Sequence, residues 1–260
     1  MHSKIILHLS FLLLLLGTAC NTSIIPNNTT TPAIKLPSVL QTALNAHGGL
    51  QSWNDLNTIE YTIQKKEQPE KQIIDLKSRK VRIENEAYTL GYDGQEVWVS
   101  PNKAAFGKGS PRFYHNLIFY FFAAPFVLAD PGIVYEKLPN KTIKGQTYEV
   151  LKISYQNGVG DAPDDYYIAH FNIETHLMDW LLYTVTYYSG EKNEKFSALN
   201  YEWQEINGLF VPSKMTGYKY ADGEIGDLRY ERPFLSVQLK KEKMKDAIFA
   251  MPQGAEIDKR

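Results

Sequence analysis

The feature that most narrows the fold is a change of hydrophobic period at Ile59. From there the chain becomes a succession of short stretches in which apolar and polar residues alternate. Ile59, Tyr61 and Ile63 alternate with Glu60, Thr62 and Gln64, and Val81 and Ile83 with Arg82 and Glu84. A period of two places successive side chains on opposite faces of a strand, one buried and one wet. Tyr92-Asp93-Gly94-Gln95 is a hairpin turn signal leading into a strand over 96–99. Further strands are expected over 148–155, 165–171, 177–187, 197–206, 209–220, 225–230 and 234–239, with Asn207-Gly208 and Asp222-Gly223 as tight turns. About ten short strands joined this way describe an antiparallel meander and exclude alternating βαβ units.

Helical spacing appears in two places. Leu36, Val39, Leu40, Ala43 and Leu44 form the apolar stripe of an amphipathic helix, ended by His47-Gly48-Gly49, and Leu50, Trp53 and Leu56 add a further turn or two. The stretch from Arg112 to Ala129 (RFYHNLIFYFFAAPFVLA) is apolar on all sides, and Pro125 should end or kink its helix near Ala123. Such a helix is a core element on the sheet, or lies in the mouth of a curved sheet with one side lining a cavity. The strand expected over 177–187 is also apolar on both faces, with Leu181, Tyr183, Val185 and Tyr187 opposite Met178, Trp180 and Leu182. The expected class is therefore mainly β (α+β): a curved antiparallel sheet, an unclosed half-barrel packed over a few helices. Trp98, Phe119, Tyr120, Phe122, Phe126, Trp180, Tyr183, Tyr187 and Trp203 are the candidate walls of an apolar cavity between sheet and helices.

The N-terminus reads as an export signal. Lys4 precedes an apolar run from Ile5 to Leu16, followed by Gly17-Thr18-Ala19-Cys20. The run is too short to span a bilayer of ~30 Å. Cys20 is the one cysteine of the chain, directly after small residues. That arrangement resembles the lipobox of bacterial lipoproteins, where the thiol carries lipid; Gly17 stands where such motifs usually have Leu. The expected organisation is a signal peptide over 1–19, a lipidated tether rich in Asn, Thr and Pro over 20–35, and a single β-rich domain over 36–260. The cysteine provides the link to a membrane, and the cell envelope is the expected location.

Composition excludes some partners. A formal net charge of −1 leaves no basic surplus to hold nucleic acid. No metalloprotease, nucleophile-elbow, phosphate-loop or dinucleotide motif is present. His47 sits at a helix end, and His170 and His176 flank a strand end and a turn. The carboxylates of Asp161, Asp164 and Asp165 read as a solvated loop, not an EF-hand. No catalytic residue, metal site or cofactor is expected.

Several stretches carry a family resemblance. They are Ala46-His47-Gly48-Gly49 with Trp53, Tyr92-Asp93-Gly94 with Trp98, the run from Phe119 to Gly132, and Asn207-Gly208 with Pro212. Together they resemble a family of uncharacterised bacterial lipoproteins of unknown function, and more distantly the lipoprotein-carrier fold of LolA, LolB and LppX. The resemblance implies a LolA-like unclosed barrel over helices, with lipid or an acylated protein as ligand and no catalysis. The alternatives are a structural or interaction module whose interior is full, and an undetected hydrolase in which His47, His170 or the Asp161 loop would converge.

Overall fold

The computed structural model describes residues 36–65, 68–156, 164–188 and 195–259. Cys20, the tether and Asp161 lie outside the described residues. Two short helices open the domain, α1 (Ser38–Ala46) and α2 (Leu50–Asn54). Strands β1 (Thr58–Ile63), β2 (Glu70–Asp75), β3 (Val81–Glu84), β4 (Thr89–Tyr92) and β5 (Val97–Ser100) follow as a meander. Helices α3 (Lys103–Phe106) and α4 (Pro111–Ala123) and a 3₁₀ turn (Phe126–Ala129) interrupt it. The chain then runs through β6 (Ile133–Ile143), β7 (Gln146–Tyr155), β8 (Tyr167–Asn172), β9 (Met178–Tyr183), β10 (Ser197–Ile206), β11 (Leu209–Ala221) and β12 (Glu224–Lys240), and ends on β13 (Glu256–Ile257).

All thirteen strands belong to one antiparallel sheet of order β13-β5-β4-β3-β2-β1-β12-β11-β10-β9-β8-β7-β6. Its two ends do not pair with each other, so the barrel stays unclosed, as the alternation implied. The order also explains where the helices must go. The first meander runs outward to β5, next to one edge, and the second starts at β6, the opposite edge. The segment joining them, with α4 at its centre, therefore has to cross a face of the sheet. Ser110 caps α4 through a 3.1 Å bond from the Phe113 amide, and Pro111 occupies its first turn. Ala124, in extended conformation before Pro125, ends it where the sequence predicted.

Against this face packs the main core. Val39, Leu40, Ala43 and Leu44 of α1, Ile118, Phe119 and Phe122 of α4, and Ile59, Tyr61 and Ile63 of β1 are all buried in it. Gly48 ends α1 at φ +103°, and a Cβ there would lie 2.0 Å from the Gly208 carbonyl oxygen. Only glycine lets the helix end approach the β10–β11 turn this closely.

A second, smaller cluster occupies the opposite face: Ile143, Tyr148, Val150, Trp180, Leu182 and Ala198. The β6–β7 and β11–β12 ends meet there. Lys141 donates to the Tyr220 hydroxyl at 3.1 Å and to the Gly223 carbonyl at 2.8 Å. Lys144 lies over the rings of Trp180 and Tyr218 at 5.3 and 5.1 Å. The two-faced apolar character of β9 follows from burial on both sides. Three details differ from the sequence expectation. β9 stops at Tyr183 instead of running to Tyr187. A bulge between the pairs His170–Trp180 and Phe171–Met178 turns Met178 into the main core, away from Trp180. The strands expected over 225–230 and 234–239 are one strand, β12, bent where Ser236 takes φ +52°.

Candidate functional site

Because α4 crosses the sheet face, one of its sides is covered by strands and the other faces outward. Arg112, Phe113, Asn116, Leu117 and Tyr120 share that outward side at the i, i+4, i+8 spacing of a helix stripe. On one flank stand Ser78 and Arg79 of the β2–β3 turn, with Tyr92 and Val97; on the other stand Asp165, Tyr167 and the stretch from Tyr183 to Tyr187. Between them lies a cleft of about 480 Å³, within the size range of small-molecule sites.

The lining is amphipathic. Phe113 packs on Tyr187 at 5.0 Å between ring centroids, Phe121 on Tyr183 at 4.7 Å, and Tyr92 on His115 at 5.2 Å. The Tyr187 hydroxyl meets Ser110 Oγ at 3.0 Å, tying the cleft wall to the start of α4. Asp165 Oδ1 accepts the Thr186 amide at 2.7 Å and the Thr184 hydroxyl at 3.2 Å. Burial nevertheless pushes its pKa upward, the hydrogen bonds opposing that shift. At the other flank Arg79 Nη2 donates to Asp130 Oδ2 at 2.8 Å, and the guanidinium lies 5.2 Å over the Phe119 ring. Desolvation raises Asp130 as well, against the pull of Arg79.

A family model described as a family of unknown function, DUF6503, matches residues 49–219, a span that contains α4 and the whole cleft lining. The chain belongs to that family. No curated protein matches it. Among solved structures, a LolA superfamily protein from Nitrosomonas europaea is similar at 12% identity and TM-score 0.46, covering 80% of this chain and 97% of that one. A DUF1329 family protein from Desulfovibrio piger is similar at 10% identity and TM-score 0.46, covering 82% and 95%. The Mycobacterium tuberculosis lipoprotein LppX shows 9% identity and TM-score 0.25, covering 55% and 86%.

This DUF6503 chain distributes the nine candidate wall residues over three places. Tyr120, Tyr183 and Tyr187 line the cleft. Phe119, Phe122 and Phe126 are buried in the main core, Phe126 stacked on Trp53 at 4.4 Å, and Trp203 lies flat on Tyr201 beside His47. Trp98 and Trp180 are on the opposite face of the sheet. Val97 and Val99 point into the main core, so strand alternation sends Trp98 outward, where its indole donates to the Phe249 carbonyl at 3.3 Å.

The histidines and carboxylates of the hydrolase alternative do not gather. His47 packs in the main core against Trp203, His170 lies on the outer face near Tyr148, and Asp165 stands in the cleft wall. Among the described residues, no three His, Cys, Asp or Glu side chains form a metal-binding group. No described helix is long and apolar enough to cross a membrane. Arg79, His115 and Asn116 went unnoticed in the sequence. Of the three, only His115 and Asn116 gave a signal, as polar residues inside an otherwise apolar run.

Proposed function

We propose that this chain is a non-enzymatic binding protein of the cell envelope, anchored through lipid on Cys20, that holds an acyl-chain ligand in the cleft along α4. The cleft of about 480 Å³ carries this reading, because the outward face of α4 leaves Leu117, Phe113 and Tyr120 only partly covered. A hydrocarbon chain laid along that stripe would remove its own surface and theirs from water at ~25 cal/mol per Å². The interior between sheet and helices is filled by Phe119, Phe122 and Phe126, so the ligand occupies the outer side of α4 and not the core beneath it.

The experiment is mass spectrometry of organic extracts from the purified protein, together with binding of a fluorescent fatty acid. A co-purifying acylated molecule and saturable binding support the reading. Absence of both leaves the domain as an interaction module with a full interior.

A further inference from the structure

Three hairpin turns of the sheet share one geometry, with both central residues at positive φ, and one of them carries an unexpected residue. Asn207-Gly208 stands at φ +53° and +79°, Asp222-Gly223 at +52° and +83°, and Lys144-Gly145 at +52° and +84°. Asn and Asp tolerate the left-handed first position because their short side chains bond locally, and lysine has no such compensation. Lys144 is held instead by what it covers. Its ammonium lies 5.3 Å over the Trp180 ring and 5.1 Å over the Tyr218 ring, on the outer face of the sheet.

Lys144 heads one of two rows on that face. Tyr218 pairs across β11 and β12 with Leu228, so both side chains point the same way, and Leu228 is 57% exposed. In the second row Lys141 lies 5.4 Å over the Tyr220 ring, and Tyr220 pairs with Ile225. Each row runs cation, tyrosine, aliphatic side chain. Phe196 packs on Tyr220 at 6.0 Å and carries the apolar surface into a groove of about 680 Å³, rimmed by Lys195, Lys219 and Arg229.

The charge of this region is positive on a chain whose formal net charge is −1. Lys141, Lys144, Lys195, Lys219 and Arg229 outnumber the carboxylates around them. Those are Asp222 and Glu224 at the β11–β12 turn, Asp227, which Lys219 bonds at 2.9 Å, and Asp179, half-buried and bonded to the Asn172 amide at 3.1 Å. Rings and methylene stems topped by ammonium groups suit the headgroup layer of a bilayer, where the stems take the greasy side and the ammonium groups meet phosphates.

We propose that this face, centred on Lys141, Lys144, Tyr218, Tyr220 and Leu228, docks on an anionic phospholipid surface. The α4 cleft lies on the other side of the sheet and is left open to the aqueous phase. The choice of a bilayer over an acidic protein rests on the envelope reading above, because a lipid on Cys20 would hold the domain beside one.

The test uses residues 36–260, which contain all the described secondary structure and both hydrophobic clusters and lack the apolar leader and the cysteine. They are sedimented with extruded vesicles at low salt. Vesicles of phosphatidylglycerol and phosphatidylcholine in equal parts should bind at least about fivefold more tightly than pure phosphatidylcholine. NaCl at about 0.5 M should remove the difference. Lys141→Glu and Lys144→Glu should each weaken binding to the anionic vesicles by at least about fivefold. Lys108→Glu makes the same charge change in the loop before α4 and should bind as the parent does. Leu228→Ser, at an exposed position, should weaken binding by about threefold or more and carries the test if a lysine variant fails to fold. Equal affinity for both vesicle kinds, or folded Lys141 and Lys144 variants that bind like Lys108→Glu, overturns the docking face. Retention on poly-glutamate beads without binding to either vesicle also overturns it, and gives the face to an acidic protein partner. None of these results touches binding of a fluorescent acyl probe, so failure here and failure of the cleft are read separately.

Discussion

Asp258, near the end of the chain, accepts the backbone amide of Arg112 at 2.9 Å, and so caps a helix that begins almost 150 residues earlier. The same carboxylate takes Lys103 Nζ at 3.1 Å, while its own amide bonds the Val97 carbonyl at 2.8 Å, continuing the pairing of β13 with β5. The C-terminal strand therefore holds the start of α4, and with it the cleft. Asp258→Ala should cost about 1–2 kcal/mol in urea unfolding, the usual scale of a lost helix cap. Amide exchange should rise in the first turn of α4. Unchanged exchange there would mean that Ser110 alone suffices as the cap.

Gly91 and Trp98 face each other across β4 and β5, and a Cβ on Gly91 would lie 2.2 Å from the indole ring. The indole is fully buried and tied to the Phe249 carbonyl, so it has little room to withdraw. Gly91→Ala should destabilise by roughly 1–3 kcal/mol through overpacking, read as a lower urea midpoint. Trp98→Ala should also destabilise, by roughly 3–5 kcal/mol. Because Trp98 lies on the face away from the cleft, ligand affinity of the folded fraction should not change. A loss of binding at unchanged fold would return Trp98 to the list of wall residues.

His47 and His170 are both held neutral, their pKa values lowered to about 4 chiefly by burial. In the unfolded chain each titrates near 6.5. As pH falls below that value the unfolded chain takes up protons that the folded one refuses until about pH 4. Stability therefore declines between pH 6.5 and 4, by roughly 3 kcal/mol per histidine at the lower end. His170→Gln should flatten the wild-type profile of urea midpoint against pH over that window, with the difference between the two curves isolating this one ring. Parallel curves would show that His170 takes up its proton in the folded protein as readily as in the unfolded chain.

Much of this architecture is legible in the sequence because alternation and turn chemistry are local. Pro125 ends α4, Asn207-Gly208 turns β10 into β11, and the apolar run of α4 marks a helix that must be covered on more than one side. Elements that depend on distant partners are not legible. β2 carries Glu70, Gln72 and Asp75, all buried, which breaks any apolar pattern. Glu70 is tolerated inside because Tyr114 and Tyr88 hydroxyls at 2.7 and 2.9 Å, Gln72 and Lys65 satisfy it. β6 is an edge strand, half exposed, whose pairing with β7 shifts register around Pro139, so it shows no clear period. Trp180 illustrates the same limit: alternation tells which face a residue takes, but not that the β6–β7 and β11–β12 ends fold over that face. The Arg79–Asp130 pair joins a turn to a segment 51 residues away, and no local rule anticipates it.

Leu117 offers the most direct test of the cleft. It lies midway along the outward stripe of α4, half-buried, with Phe113 one turn before it and Tyr120 one turn after. A larger side chain there projects into the space between the two flanks, whereas the covered side of α4, with Ile118, Phe119 and Phe122, is untouched. Leu117→Trp should therefore fold with a urea midpoint close to wild type and lose at least about tenfold in affinity for a fluorescent acyl probe. Trp180→Phe, on the opposite face of the sheet, is the control and should bind as wild type does. Both proteins are to be compared by titration at equal folded fraction, judged from their near-ultraviolet circular dichroism. Full binding by Leu117→Trp would remove the ligand from the α4 cleft, because no other residue of the stripe sits so centrally between the Arg79 and Tyr183 flanks.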